Sequence, residues 1–341
     1  MGRRTWLAAA GLVLAASNAW ADEKPCQLLA IGELTVSTDG SDVVTDAEIN
    51  GRPVRLAVDT GSDATMLYRD AAERLGLNFR HLTGAQSYGV GGATNIYSTR
   101  VKELRIGNMI ERDSDLIATG RSTGPAQGAI GERFLTQADV EFDLPHGKIR
   151  FFKPHGCAGD QVVYWGDAYA VAPIQPTPNY QILVQVRVNG ALLTAQLDTG
   201  AGVSVLTPAG AAKAGVSRHS PGVTRVGNVQ GTGQETIRAY VDTFPSFSFG
   251  EETIKNARLW IADLFHYDKQ YGTADLIPKT VVDEPDMLLG ADFFRSHRVY
   301  VSGQQHKVYV TYAGGPVFQT NAAPRTPQAV TNGPAANAGP N

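Results

Sequence analysis

The chain has 341 residues, 43% of them hydrophobic and 18% charged, a composition suited to packed globular structure and a length sufficient for two ordinary cores. Its formal charge is −3, and without Arg3 and Arg4 it is about −5, with 28 basic residues against 33 acidic ones. No basic stripe is present, which argues against nucleic acid as the ligand. The two cysteines and seven scattered histidines form no metal-binding set, so no metal and no other cofactor is expected.

The first residues read as an export signal over 1–21: a basic start at Arg3 and Arg4, an apolar stretch from Trp6 to Ala16, and the small-x-small triplet Ala19-Trp20-Ala21. The stretch is short for a bilayer crossing, so a soluble exported protein is expected, periplasmic or secreted, with no stable membrane insertion. In an oxidising compartment Cys26 and Cys157 can pair, closing a long loop worth roughly 3 to 5 kcal/mol on the chain-entropy model; two free thiols are the alternative.

A turn at Asn50-Gly51 leads into alternating Val54, Leu56 and Val58, a strand that ends in Asp59-Thr60-Gly61-Ser62. Arg69 to Leu75 follows as a short helix stopped by Gly76, and Tyr88-Gly89-Val90-Gly91-Gly92 as a glycine-rich hairpin tip. Next come a strand from Lys102 to Ile106, the apolar Ala129-Ile130-Gly131, and a hairpin of Asp139 to Asp143 with Lys148 to Phe152. The proline- and glycine-rich stretch 153–179 reads as the crossing to a second half.

That second half repeats the first. A gapless shift of 139 carries Asp59 onto Asp198 of Asp198-Thr199-Gly200-Ala201, Asn50-Gly51 onto Asn189-Gly190, and Gly76 onto Gly215. It also matches Val54, Leu56 and Val58 to Leu193, Ala195 and Leu197, and places a helix from Pro208 to Ala214. A shift of 159 carries Ile130-Gly131 onto Leu289-Gly290 and the closing hairpin onto Arg298 to Ser302 with Lys307 to Thr311. The extra 20 residues fall mostly between Ile261 and Met287, with Trp260, Phe265, His266, Tyr267 and Tyr271 nearby. One repeat occurring twice predicts two similar lobes about a pseudo-twofold axis, at 26–155 and 156–313, followed by an unstructured tail at 314–341.

In these features the chain resembles the retropepsin-type and pepsin-like aspartic peptidases, with both halves in one polypeptide. The resemblance covers residues 28 to 313 and implies a mostly β fold of two acid-protease-like β-barrel lobes with the active site between them. It implies that Asp59 and Asp198 are the catalytic pair, that Thr60 and Thr199 hydrogen-bond across to the opposite loop, and that Gly61, Ser62, Gly200 and Ala201 support the loops. Ile130-Gly131 and Leu289-Gly290 would back them. Gly89 to Gly92, with Tyr88, would form a flap over substrate, and Gly231 and Gly233 its counterpart. Two facing carboxyls cannot both ionise cheaply, so the pair is expected to share one proton and activate a water on an extended peptide, with no covalent intermediate. Ser62 is expected to donate to Asp59 where Ala201 offers Asp198 nothing, leaving the shared proton more often on Asp198. A monomeric endopeptidase acting on an exported protein is the leading reading. The rivals are a secreted peptide-binding module that keeps the fold without turnover, and an exported structural or adhesive β protein.

Overall fold

The computed structural model describes residues 26–122, 124–157, 159–177, 181–231, 233–266 and 284–318. The expected signal at 1–21 lies outside these residues, as do most of the tail and Tyr267 and Tyr271.

The fold is mostly β, in two repeated lobes. Each lobe is built on the same hairpin. Asp42–Ile49 pairs with Arg52–Val58 in the first, and Leu183–Val188 with Ala191–Asp198 in the second. Both turns are two residues long, with positive φ at each: 52° and 75° at Asn50-Gly51, 51° and 80° at Asn189-Gly190. This is the mirror-type turn whose twist suits a hairpin, and asparagine followed by glycine adopts it at least cost. The asparagines do a second job: Asn50 Oδ1 accepts from Lys102 N and Glu103 N, and Asn189 Oδ1 from Ser246 N, pinning each turn to a neighbouring strand.

Beyond the turns, the alternating residues Val54, Leu56, Val58 and Leu193, Ala195, Leu197 are all buried. The helices are short, Arg69–Arg74 and Pro208–Lys213. The second is capped by Thr207, whose hydroxyl accepts from Gly210 N at 3.0 Å, as its position before Pro208 predicts. Two further helices of four residues, Glu132–Leu135 and Ala291–Phe294, carry no periodic signal because each is a single turn.

The lobes are joined by one six-stranded antiparallel sheet. Its strands run Gln27–Asp39, Lys148–His155, Asp139–Asp143, His297–Ser302, Lys307–Tyr312 and Ala170–Gln175, with the pseudo-twofold between the third and fourth. Gln27 pairs with His155 at its outer edge, and the Cys26–Cys157 disulfide closes the ladder there. Packing in the second lobe runs past the expected boundary at residue 313. Phe318 is 2% exposed and lies 4.9 Å from the Phe247 ring, and Ser296 Oγ donates to the Pro316 carbonyl. The tail expected from Gly314 therefore starts too early, because one buried aromatic anchors five residues whose composition reads as linker.

Candidate active site

Each Asp-Thr-Gly sits at the end of its lobe's inner strand, where a second strand runs parallel beside it. Val58 is in register with Ile130, and Asp59 N donates to the Ile130 carbonyl at 3.0 Å; in the other lobe Asp198 is in register with Gly290. The backing strands are threaded tightly. A Cβ on Gly131 would strike the Ala64 backbone, and one on Gly290 would lie 2.5 Å from the Val203 carbonyl carbon, so only glycine fits either place. A hydroxyl six residues after each aspartate completes the clasp: Thr65 Oγ1 accepts from Gly131 N at 3.2 Å and Ser204 Oγ from Gly290 N at 2.9 Å.

The two loops meet. Thr60 Oγ1 donates to the Leu197 carbonyl at 2.9 Å and accepts from Thr199 N at 3.0 Å; Thr199 Oγ1 donates to the Val58 carbonyl at 2.8 Å and accepts from Thr60 N at 3.1 Å. Four reciprocal bonds between buried groups fix the loops against each other, since each lost partner would leave an unpaired polar group out of water's reach. The carboxyls are brought face to face. A Cβ on Gly61 would lie 2.6 Å from the Asp198 carboxyl carbon, and one on Gly200 would overlap the Asp59 carboxyl.

Burial raises the pKa of both acids, and they hydrogen-bond each other. Asp198 accepts from Ala201 N at 3.1 Å and Gly200 N at 2.9 Å, which favours its ionised form. Asp59 accepts from Gly61 N at 2.9 Å; burial, and after it the charge of Asp198, push it up to about 8. Two raised, facing carboxyls are set to hold one proton between them, and the Ser62 hydroxyl expected to bias its position has another acceptor. Ser62 Oγ donates to the Ala64 carbonyl at 3.1 Å, while the backbone N–H groups of Ser62 and Ala201 serve Asp59 and Asp198 alike.

A family model described as aspartyl protease matches the chain twice, over residues 45–134 and 184–293, together more than half its length. The chain belongs to the aspartyl protease family. Each match carries one Asp-Thr-Gly together with its backing strand. A comparison with curated proteins finds no match.

In this aspartyl protease family member each lobe also contributes a hairpin. Phe79–Gly89 pairs with Gly92–Ile106 in the first lobe, and Thr224–Val229 with Ile237–Phe249 in the second. Their tips touch: Gly91 bridges Gly233, Glu235 N donates to the Gly91 carbonyl at 3.0 Å, and Val90 packs against the second-lobe cluster of Val205, Ile237, Ala262 and Leu288. A Cβ on Gly231 would lie 3.0 Å from Val90 Cβ, and Gly233 has φ 110°. Gly89, Val90, Gly91, Gly92, Gly231 and Gly233 are thus together, whereas Tyr88 turns aside, its hydroxyl donating to Gln86 Oε1 on its own strand at 3.1 Å. Of the aromatics near the insertion, Trp260 and Phe265 pack on that same cluster.

Several site residues are not singled out by the repeated motifs. Thr65 and Ser204 are visible in hindsight as small hydroxyl residues aligned by the 139 shift. Asp292 is fully buried and accepts from Ser204 Oγ at 2.6 Å, Ser204 N at 2.9 Å and Phe293 N at 3.0 Å, clamping the second loop. Its aligned partner is Arg133, so the repeat conceals it. Elsewhere on the first lobe an open depression of about 770 Å³ is lined by Arg55, Arg74 and Arg105, but each is paired with a neighbouring carboxylate, which leaves it without a chemical focus.

Proposed function

We propose that this chain is an endopeptidase in which Asp59 and Asp198 activate a water for attack on a peptide bond. The observation that carries the reading is the meeting of two buried, mutually hydrogen-bonded carboxyls, one from each lobe, in a family of aspartyl proteases. The ionised member of the pair takes a proton from a water placed between the two, and the hydroxide equivalent adds to the scissile carbonyl carbon. The protonated member donates its hydrogen bond to the carbonyl oxygen as it becomes a diol oxygen. Collapse of the diol returns the carbonyl, breaks the C–N bond and passes a proton to the leaving amine. The pair ends with one proton, as it began, and no enzyme–substrate bond forms.

The substrate is an extended peptide that adds as a strand beneath the two hairpin tips, which must part to admit it and then exclude water. Two lobes of similar build, each with its own glycine-tipped hairpin, look like a symmetric pair joined in one chain, which favours the retropepsin type. Both aspartates come from the same chain, so a monomer suffices. The basic-apolar start of the sequence and the Cys26–Cys157 disulfide favour an exported, oxidising location and an exported protein as substrate.

The test is incubation of the purified chain with a diverse peptide pool from pH 3 to 8, read by mass spectrometry, with and without a hydroxyl-bearing tetrahedral analogue. Cleavage blocked by the analogue is the expected result. A chain that binds the analogue yet cuts nothing in the pool or among co-expressed exported proteins would instead be a peptide-binding module.

A further inference from the structure

Glu132 follows the backing strand of the first lobe and is 1% exposed. One of its carboxyl oxygens, Oε1, is buried without a hydrogen-bond partner. The other side of the group faces the backbone N–H of Ile182, which belongs to the second lobe. These contacts close a circuit between the two lobes. Thr60 Oγ1 donates to the Leu197 carbonyl at 2.9 Å, Leu197 N to the Ile182 carbonyl at 3.0 Å, and Glu132 N to the Ser62 carbonyl at 2.7 Å. Glu132 adds to the direct threonine bonds a second tie from the first active-site loop to the other lobe, at Ile182 just before the strand Leu183–Val188.

The charged groups felt most strongly at this position are all acidic: Asp63 and Asp59 of the first loop and Asp198 of the second. The Ile182 backbone brings a dipole and no charge. An ionised carboxylate held there would be buried, short of one partner and repelled from three sides, each of which favours the protonated form. Burial, then Asp63, push Glu132 up to about 9. The second lobe departs from the first at this point. Ala291 stands in the aligned place, its N–H bonding the Ala201 carbonyl at 2.7 Å, and the link back to the first lobe is made by Arg295, which donates to the carbonyls of Ser41 and Gly202. One arm is an acid and the other a base, so the two lobes are not tied in equivalent ways.

We propose that Glu132 is a positioning residue that works as an un-ionised acid, tying the first active-site loop to the second lobe and so setting the separation of Asp59 and Asp198. It touches neither substrate nor the attacking water; its effect passes through the loops. The catalytic part of this inference rests on the peptidase reading above, while the protonation part stands on its own.

The experiment compares wild type, Glu132→Gln and Glu132→Ala by thermal unfolding from pH 4 to 8.5 and by kcat and KM on a cleaved peptide. A group whose proton affinity is raised on folding contributes stability below its unfolded range, near 4.5, that is lost as pH rises toward 9. Glutamine mimics the protonated acid at every pH. Glu132→Gln should therefore match wild type near pH 4 and unfold at a progressively higher temperature than wild type above pH 6, with kcat within about twofold. Glu132→Ala should lose at least about tenfold in kcat with KM little changed. A glutamine variant less stable than wild type at pH 7 would show an ionised, paired glutamate and overturn the proposal; an alanine variant with full kcat would remove the positioning role. If the alanine variant does not fold, the glutamine series still decides the protonation state, and Glu132→Asp, one methylene too short to reach Ile182, takes its place in the kinetics. Absence of peptidase activity in wild type itself would count against the peptidase reading, not this one, which the unfolding series continues to test.

Discussion

Asp59 lies against the backbone N–H groups of Gly61 and Ser62 as Asp198 lies against those of Gly200 and Ala201, so backbone donors favour charge on both carboxyls and burial opposes it on both. The Ser62 hydroxyl plays no part, since it bonds Ala64. Ser62→Ala is accordingly expected to leave both limbs of the pH–rate profile where they are in wild type. A limb displaced upward would mean that the hydroxyl turns to Asp59 in solution. The raised proton affinities also carry a stability cost whose sign is fixed. Asp59 has an ordinary value of 3.8 unfolded and about 8 folded, so its contribution to stability is present below the first value and lost as pH climbs to the second. Asp59→Asn, which cannot ionise, should be inactive yet unfold at a higher temperature than wild type at pH 7, with the gap closing near pH 4. Calorimetry at the two pH values checks this.

At the scale of elements, the strands that carry the aspartates were legible because alternation and an Asn-Gly turn are local signals, and because each occurs twice at one spacing. The hairpin tips were legible as glycine clusters, but their mutual contact was not: nothing in the spacing of Gly91 and Gly233 says that two tips from different lobes meet. The same limit hid the single-turn helices, Asp292 and Glu132, whose roles depend on what another segment brings to them. The tip contact has a direct consequence. Gly233 has positive φ and a Cβ there would overlap the Gly91 carbonyl, so Gly233→Ala should hold the tips apart. The expected outcome is a loss of about tenfold or more in kcat/KM with the melting temperature almost unchanged, because the tips add little to either core. Steady-state kinetics beside a melting curve separates this from general destabilisation.

On the scale of the molecule, the two lobes are held by the six-stranded sheet and by a buried charge cluster upon it. Glu141, wholly buried, accepts from Arg150 of the first lobe at 2.7 Å and from Arg298 of the second at 2.8 Å, while its other oxygen accepts from Tyr164 at 2.6 Å. Arg298 in turn lies over the Trp165 ring at 4.4 Å. Removing the central carboxylate would leave the two mostly buried guanidinium groups sharing Asp143, 3.2 Å from Arg150 and 3.8 Å from Arg298. Glu141→Ala is expected to cost about 3 to 5 kcal/mol in chemical denaturation, and to do so by loosening the lobes, so that activity falls at denaturant levels where the separate cores persist. The sheet itself follows from the duplication, for each half ends in the same hairpin and the two ends pair across the pseudo-twofold. The cluster does not follow from it: Glu141 and Arg298 are 157 residues apart, and only the assembled sheet makes them neighbours.

The central claim is that Asp59 and Asp198 act as one unit on one water. It is tested most directly by kcat/KM for Asp59→Asn, Asp198→Asn and the double variant on a single cleaved peptide. Groups that act as a unit are strongly non-additive, so each single substitution should cost about 10⁴-fold or more and the double variant no more than either. A single variant that retains activity within about tenfold of wild type, or losses that multiply in the double variant, would contradict a shared dyad.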